Sequence, residues 1–403
     1  MEPTVCLIGT LDTKGPELLF LKEQIQRSGL KALVIDMGIL GEPPFEPTIP
    51  REEVARRGGS SIELLKKTQD ESHAQEVMSL GLKAIVMELL TAHKIHGLIA
   101  IGGGQGSSMA SPTLKALPIG FPKILVSTKV TQAGLWPYIG PKDVVVIPPV
   151  ADLAGLNRLT KTILANAASA MIGMVTLSQR IEPIGPLVVM SMNGTVTETG
   201  LRLKDWLEQK GYEVVVFHSI GTGGYALEEF LMENDVKAVV ELAVNEINCH
   251  LFEGKASAGP NRLQAAGKKG IPQLLVPGSA DFINFLGPET LPKHYLNRKI
   301  HRHSKAATLV RTSPQENRKL GEYLAQKLNQ ARGKALIVWP KRGLSSLDKE
   351  GLVFWDKEAD QSLLEALKAN LDPSISIREV DAHINDPEFS KELIRIFEHL
   401  TRT

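Results

Sequence analysis

The plainest chemical signal in the chain is Gly102-Gly103-Gly104-Gln105-Gly106-Ser107-Ser108. It follows the apolar run Leu98-Ile99-Ala100-Ile101 and precedes a segment that can wind as a helix. A buried strand that ends in consecutive glycines leaves its last N–H groups without side-chain cover. Together with the N-terminus of the next helix, those groups can cradle an anion, usually a phosphate. Ser107 and Ser108 add hydroxyl donors. Two readings stand: a phosphate-binding loop and a tight strand-to-helix turn with no ligand. The pattern is not a Walker loop, because no Lys follows the last Gly, and it is not a well-formed G-x-G-x-x-G fingerprint.

A second candidate loop, Gly9-Thr10-Leu11-Asp12-Thr13-Lys14-Gly15, follows the strand-like run Val5-Cys6-Leu7-Ile8. Lys14 suits a phosphate, and Asp12 suits Mg²⁺, directly or through water. Asp12 and Thr13 equally suit a helix cap. Asp36 ends the next strand, where an acid can bond a ribose hydroxyl or merely shape a turn. Ser127 and Thr128 end the strand Lys123–Val126 and offer hydroxyls to the glycine loop, with capping or turn bonds as the alternative. Each of these residues sits at the carboxyl end of an expected parallel strand, where open sheets collect ligands.

The elements that must position them alternate strand and helix. Pro16-Glu17 opens a helix that Gly29 stops, and Ala32-Leu33-Val34-Ile35 completes a βαβ unit. Helical stretches at Ser61–Lys67 and Asp70–His93 lead to the glycine loop's strand, and a long small-residue helix is expected over Leu153–Leu177. A second run of similar design starts near Pro186. The sequence therefore predicts an α/β protein of two Rossmann-like doubly wound domains with parallel sheets and a cleft between them. Residues 1–183 form the expected nucleotide-binding domain and 184–403 a second domain for a metabolite or for self-association.

The second half offers Asn193-Gly194-Thr195 and Gly221-Thr222-Gly223-Gly224 as anion-friendly loops. Glu241, Asn245, Glu246, Ser279 and Asp281 follow its strands, where acid/base work, metal binding and simple capping are all open. His294, His301 and His303 lie in a basic run, Lys293–Lys305, that reads as a solvated loop or subunit contact, and His218 ends a strand.

Composition narrows the class. A chain of 403 residues favours two domains over one. A net charge of +1 argues against a broad nucleic-acid-binding face. Two cysteines, Cys6 and Cys249, exclude a disulfide framework and fit a reducing compartment. No apolar run reaches the roughly 18 residues of a membrane span, and the N-terminus shows no signal-peptide pattern. The expectation is a soluble, cytoplasmic protein, a homo-oligomer by its small-residue helix.

Taken together the motifs resemble a known family. Gly9–Gly15 is similar to its opening G-T-x-D-T-K-G, Ile101–Ser107 to its glycine loop, and Lys123–Thr128 to its P-K-x-x-V-S-T run. Val34–Gly41, Asp152–Arg158, Gly221–Gly224, Ser257–Leu263, Asn284-Phe285 and Ile384–Phe389 continue the match over nearly the whole chain. The family is that of the ATP-binding N-terminal region of the tomato mosaic virus resistance protein. The resemblance implies a two-domain Rossmann-like fold, with ATP and Mg²⁺ bound by the first domain. The chain departs from the pattern at Lys129–Gly134, at Ser219-Ile220 and at Ala243–Asn248. The resulting expectation is an ATP-dependent enzyme acting on a small anionic, sugar-acid-like metabolite. A nucleotide sensor without catalysis and a non-ATP enzyme on phosphorylated sugar acids are the alternatives.

Overall fold

The computed structural model describes residues 2–130, 134–177, 179 and 181–401, which divide into two compact units, Met1–Ile181 and Glu182–Thr403. Thr131, Gln132 and Ala133, part of the departure noted above, lie outside the described residues.

In the first unit, runs of Val, Ile and Leu without polar alternation form a sheet covered on both faces. Its strands are β1 (Thr4–Gly9), β2 (Lys31–Asp36), β3 (Gly97–Gly102), β4 (Lys123–Ser127) and β5 (Val145–Ile147). They are parallel, in the order β2-β1-β3-β4-β5. The helices are α1 (Leu11–Arg27), α2 (Arg51–Arg57), α3 (Ile62–Lys67), α4 (Glu71–Thr91), α5 (Gly104–Ala116), α6 (Trp136–Ile139) and α7 (Arg158–Thr176). Neighbouring strand residues point to opposite cores. Leu7 packs with Leu18 and Leu21 of α1 and Met171 of α7, whereas Ile8 packs with Val54, Met78 and Leu114 from α2, α4 and α5. Each fully buried side chain of this kind contributes about 1.5–3 kcal/mol. Strand order reverses between β1 and β3, so the loops leaving these neighbours diverge and open a crevice at their tips.

The second unit carries a six-stranded parallel sheet in the order β14-β13-β9-β8-β6-β7. Its strands are β6 (Leu187–Met192), β7 (Glu213–His218), β8 (Ala238–Glu241), β9 (Gln273–Leu275), β13 (Ala335–Pro340) and β14 (Ser376–Val380). One face is covered by α8 (Thr197–Gln209) and the amphipathic α14 (Pro387–Thr401), through Leu203, Leu207, Phe389 and Phe397. The other face meets α9 (Thr222–Glu233), α10 (Asn245–Leu251), α11 (Ala265–Lys269), α12 (Pro314–Leu328) and α13 (Lys357–Asn370).

Between β9 and α12 the chain departs from the expected all-parallel pattern. β10 (Phe282–Phe285), β11 (Ile300–Ser304) and β12 (Ala307–Arg311) form an antiparallel sheet in the order β10-β12-β11. The basic run expected as a loop is in part the edge strand β11, with Arg302 and His303 exposed. α11 begins at Ala265, which leaves Arg262 in the preceding loop. Among the described residues no helix is long and apolar enough to cross a membrane.

Candidate functional site

The loops after β1 and β3 line one cavity of about 660 Å³. Thr10, Asp12, Thr13 and Lys14 come from the start of α1, and Gly103, Gly104, Gln105 and Gly106 from the start of α5. Ile39, Leu40, Leu65, Ala74 and Met109 add an apolar side, and Thr68, Gln69 and Gln75 supply polar groups beside it. β1 and β3 are hydrogen-bonded neighbours, Ile8 pairing with Ala100, so the two loops meet because the strand order places them there.

At the end of β3 close approach requires glycine. A Cβ on Gly102 would lie 2.9 Å from the backbone of Gly106 and Ser107, so only glycine lets the helix turn back over its own strand. α5 begins one residue after Gly103, and Ser107 N–H already donates to Gly103 O. The amides of Gly104, Gln105 and Gly106 precede the first intrahelical donor and carry the partial positive charge of the helix end. Lys14 lines the same cavity, its ammonium 2.5 Å from Leu153 O. Gln105 Nε2 donates to Glu71 Oε2 at 3.1 Å.

Several expected contacts do not reach this cavity. Ser107 and Ser127 are fully buried, and their hydroxyls bond each other at 2.6 Å. They join the tips of β3 and β4 and are not ligand donors. Thr128 lies outside the lining, its N–H 3.4 Å from Gly102 O. Asp36 is fully buried, and its Oδ1 accepts from Leu11 N–H at 2.9 Å and Gly38 N–H at 2.8 Å. Burial pushes this carboxyl up, against the two amide bonds that pull it down. Asp36 is therefore an internal cap and is not placed to meet a ribose. Asp12 Oδ2 accepts from Leu40 and Gly41 N–H at 3.2 and 3.1 Å, and its Oδ1 is sealed from solvent. No group of three His, Cys, Asp or Glu among the described residues is arranged to hold a metal ion. Through Oδ2, Asp12 fastens the loop after β2.

In the second unit both anion-friendly loops are filled from within. Glu246 Oε1 accepts from Gly221 and Gly224 N–H at 2.7 and 2.9 Å, occupying the start of α9. Gly221, at φ +91, turns the chain so that this becomes possible. Asn193 Oδ1 accepts from Thr195 N–H at 3.0 Å, closing the other loop on itself. Sequence reading missed the residue that holds this region together. Arg262, buried, meets Glu241 at 2.6 Å, Glu246 at 2.8 Å and Glu228 at 3.2 Å. These carboxylates hold its guanidinium charged, well above its ordinary value, against the burial that opposes charge. Its only sequence signal was a place in the stretch Ser257–Leu263. His218 is exposed, and His294 lies tilted against Tyr295 with ring centres 4.2 Å apart.

Comparison with known proteins places the chain. Residues 3–180 match the N-terminal domain, and residues 185–401 the C-terminal domain, of the uncharacterised protein family UPF0261. The chain belongs to this family. A UPF0261 protein of Clostridium tetani is 40% identical over 404 residues, covering 99% of this chain and 100% of the relative. The ToMV resistance protein Tm-1 of Solanum lycopersicum is 31% identical over 420 residues, covering 98% of this chain and 55% of that protein. Among solved structures, a putative UDP-N-acetylglucosamine 2-epimerase from Listeria monocytogenes aligns over 100% of this chain and 98% of its own, at 11% identity and a TM-score of 0.25, a likeness too slight to support any inference. In this UPF0261 chain the anion-friendly amides of the first unit stay open to a cavity, whereas those of the second are filled by its own side chains.

Proposed function

We propose that the first unit binds ATP in the cavity at the tips of β1 and β3. The observation that carries this reading is the convergence of the α5 N-terminal amides and Lys14 on one cavity of nucleotide size. The polyphosphate lies against Gly103–Gly106 and the ammonium, where backbone N–H groups and a helix end favour negative charge. The base lies toward Ile39, Leu40, Leu65 and Met109, with the Gln69 and Gln75 amides in reach of its polar edge. What the cavity supplies is binding: Glu71 is bonded to Gln105 and Asp12 to backbone amides.

A thermal-shift panel of ATP, ADP and sugar phosphates, each with and without Mg²⁺, tests this. A ligand at ~100 times its dissociation constant stabilises by about 2.7 kcal/mol. Stabilisation by ATP supports the reading. Stabilisation by sugar phosphates and not by ATP replaces it with a substrate-phosphate site.

A further inference from the structure

Lys14 reaches the first unit's cavity from a backbone that does not fix its side chain. Its N–H donates to Thr10 O at 2.7 Å in the opening turn of α1, but its φ of −125° and ψ of 19° are not helical. A kink therefore separates this turn from the rest of α1. The lysine stem is long and flexible, and on such a turn it visits many rotamers unless something holds its end. The ammonium donates to Leu153 O at 2.5 Å. An ammonium has three donors, so this bond leaves others for a ligand.

Leu153 belongs to the stretch Asp152–Arg158, which leads from β5 into α7. The Leu153 side chain is fully buried and shares a core with Leu11, Leu18 and Leu21. At the other end of the stretch, Asn157 Oδ1 accepts from Thr160 N–H at 3.0 Å, and the Thr160 hydroxyl oxygen accepts from Asn157 N–H at 2.9 Å. This capping box starts α7. Between the two anchors Gly155 turns the chain at φ +90°, a conformation that favours glycine, and its N–H donates to Glu17 Oε1 at 2.8 Å. Burial of Leu153 anchors the loop without orienting the peptide that follows. The Gly155 bond, two residues on, supplies that orientation.

Glu17 is a costly residue for its place. It is 0% exposed, its Oε2 has no hydrogen-bond partner among the described residues, and the next buried residues of α1, Leu18 and Leu21, are core leucines. An apolar side chain would serve this core at least as well. What the carboxylate adds is a grip on the loop that carries the acceptor of Lys14. We propose that Glu17 is a positioning residue: by holding Gly155 N–H it fixes the Leu153 carbonyl, and that carbonyl holds the Lys14 ammonium at the cavity. This role rests on the nucleotide reading above, in which the ammonium meets the polyphosphate.

The test is a calorimetric titration of ATP into the full chain and its variants, with a melting curve for each. Glu17→Met keeps the length of the side chain and removes the acceptor, and water can reach the half-buried Gly155 N–H in its place. This variant should melt as the parent does, yet bind ATP more weakly by roughly tenfold, the lower end of what a charge-assisted bond contributes. Glu17→Gln keeps an oxygen for Gly155 and should restore the affinity. Added to Lys14→Ala, Glu17→Met should cost nothing further. If Glu17→Met does not fold, Gly155→Ala is read in its place. No atom lies within 4 Å of the added Cβ, so only the φ of +90° resists it, and the loop shifts from the other end of the same bond. Full affinity in the folded Met variant, no rescue by Gln, or a further loss on top of Lys14→Ala overturns the positioning role and leaves ATP binding standing. A wild-type protein that binds no ATP overturns both.

Discussion

The hydroxyl oxygens of Ser107 and Ser127 lie 2.6 Å apart, both side chains fully buried, one at the start of α5 and the other at the end of β4. The Ser127 oxygen also accepts from Lys129 N–H at 3.2 Å. The pair acts as a clasp beneath the glycine loop. It sets where the Gly104–Gly106 amides point without meeting a ligand itself. Ser107→Ala or Ser127→Ala alone strands its partner in the interior and should cost about 1–3 kcal/mol. The double variant should cost less than the sum. Urea unfolding of the three variants reads this coupling, and full additivity would show that the hydroxyls do not depend on each other.

Lys14 presents the opposite case, a side chain whose loss should spare the fold. Its ammonium meets one backbone carbonyl, Leu153 O, and lines the cavity. A charge-assisted bond contributes about 1.5–3 kcal/mol. Lys14→Ala should therefore weaken ATP roughly 10- to 100-fold in a calorimetric titration, with little change in the melting curve. Equal affinity would remove Lys14 from the site.

The glycine loop separates architectural from open positions. At Gly102 an added Cβ would strike the Gly106 and Ser107 backbone at 2.9 Å, whereas at Gly106 the nearest atoms are 3.6 and 3.7 Å away. Gly102→Ala should lower the melting temperature by several degrees, since ~1 kcal/mol moves a domain of this size by about 2–4 °C. Gly106→Ala should fold as the parent does, and any effect should appear in nucleotide affinity. Equal melting of the two variants would show that the strand-to-helix turn has slack.

These contrasts mark how far the sequence is readable. The first unit's strands announce themselves as unbroken apolar runs, and their order brings the loops after β1 and β3 to one cavity. Which polar residues face that cavity does not follow from position at a strand end. Asp36 and Asp12 stand where a ribose or metal ligand would, yet backbone amides of this chain occupy them. A carboxylate that caps an internal loop and one that awaits a ligand look alike in a sequence. The antiparallel sheet was hidden for another reason. β11 is an edge strand whose His301-Arg302-His303 reads as a charge run, with Ile300 its one apolar residue, while its partner β12 carries Leu309 and Val310. Glu246 and Arg262 are sixteen positions apart in sequence and meet only through the fold of the intervening loop.

Arg262 gives the strongest stability expectation. It is the shared cation of two buried carboxylates, Glu241 and Glu246, and the partly buried Glu228, and Glu246 in turn fills the start of α9. Burial already raises the Glu228 carboxyl, and the Arg262 charge draws it back down. Arg262→Met keeps much of the side-chain volume and removes the charge. It leaves carboxylates unpaired in the interior, at a cost of about 3–5 kcal/mol near neutral pH. Without the cation nothing but its amide bonds opposes the burial that raises the Glu228 carboxyl, so the variant's deficit should grow as pH rises and shrink toward about pH 5. Denaturant unfolding of both proteins across that range reads the slope. A deficit that stays constant with pH would mean that Arg262 contributes packing and no charge compensation.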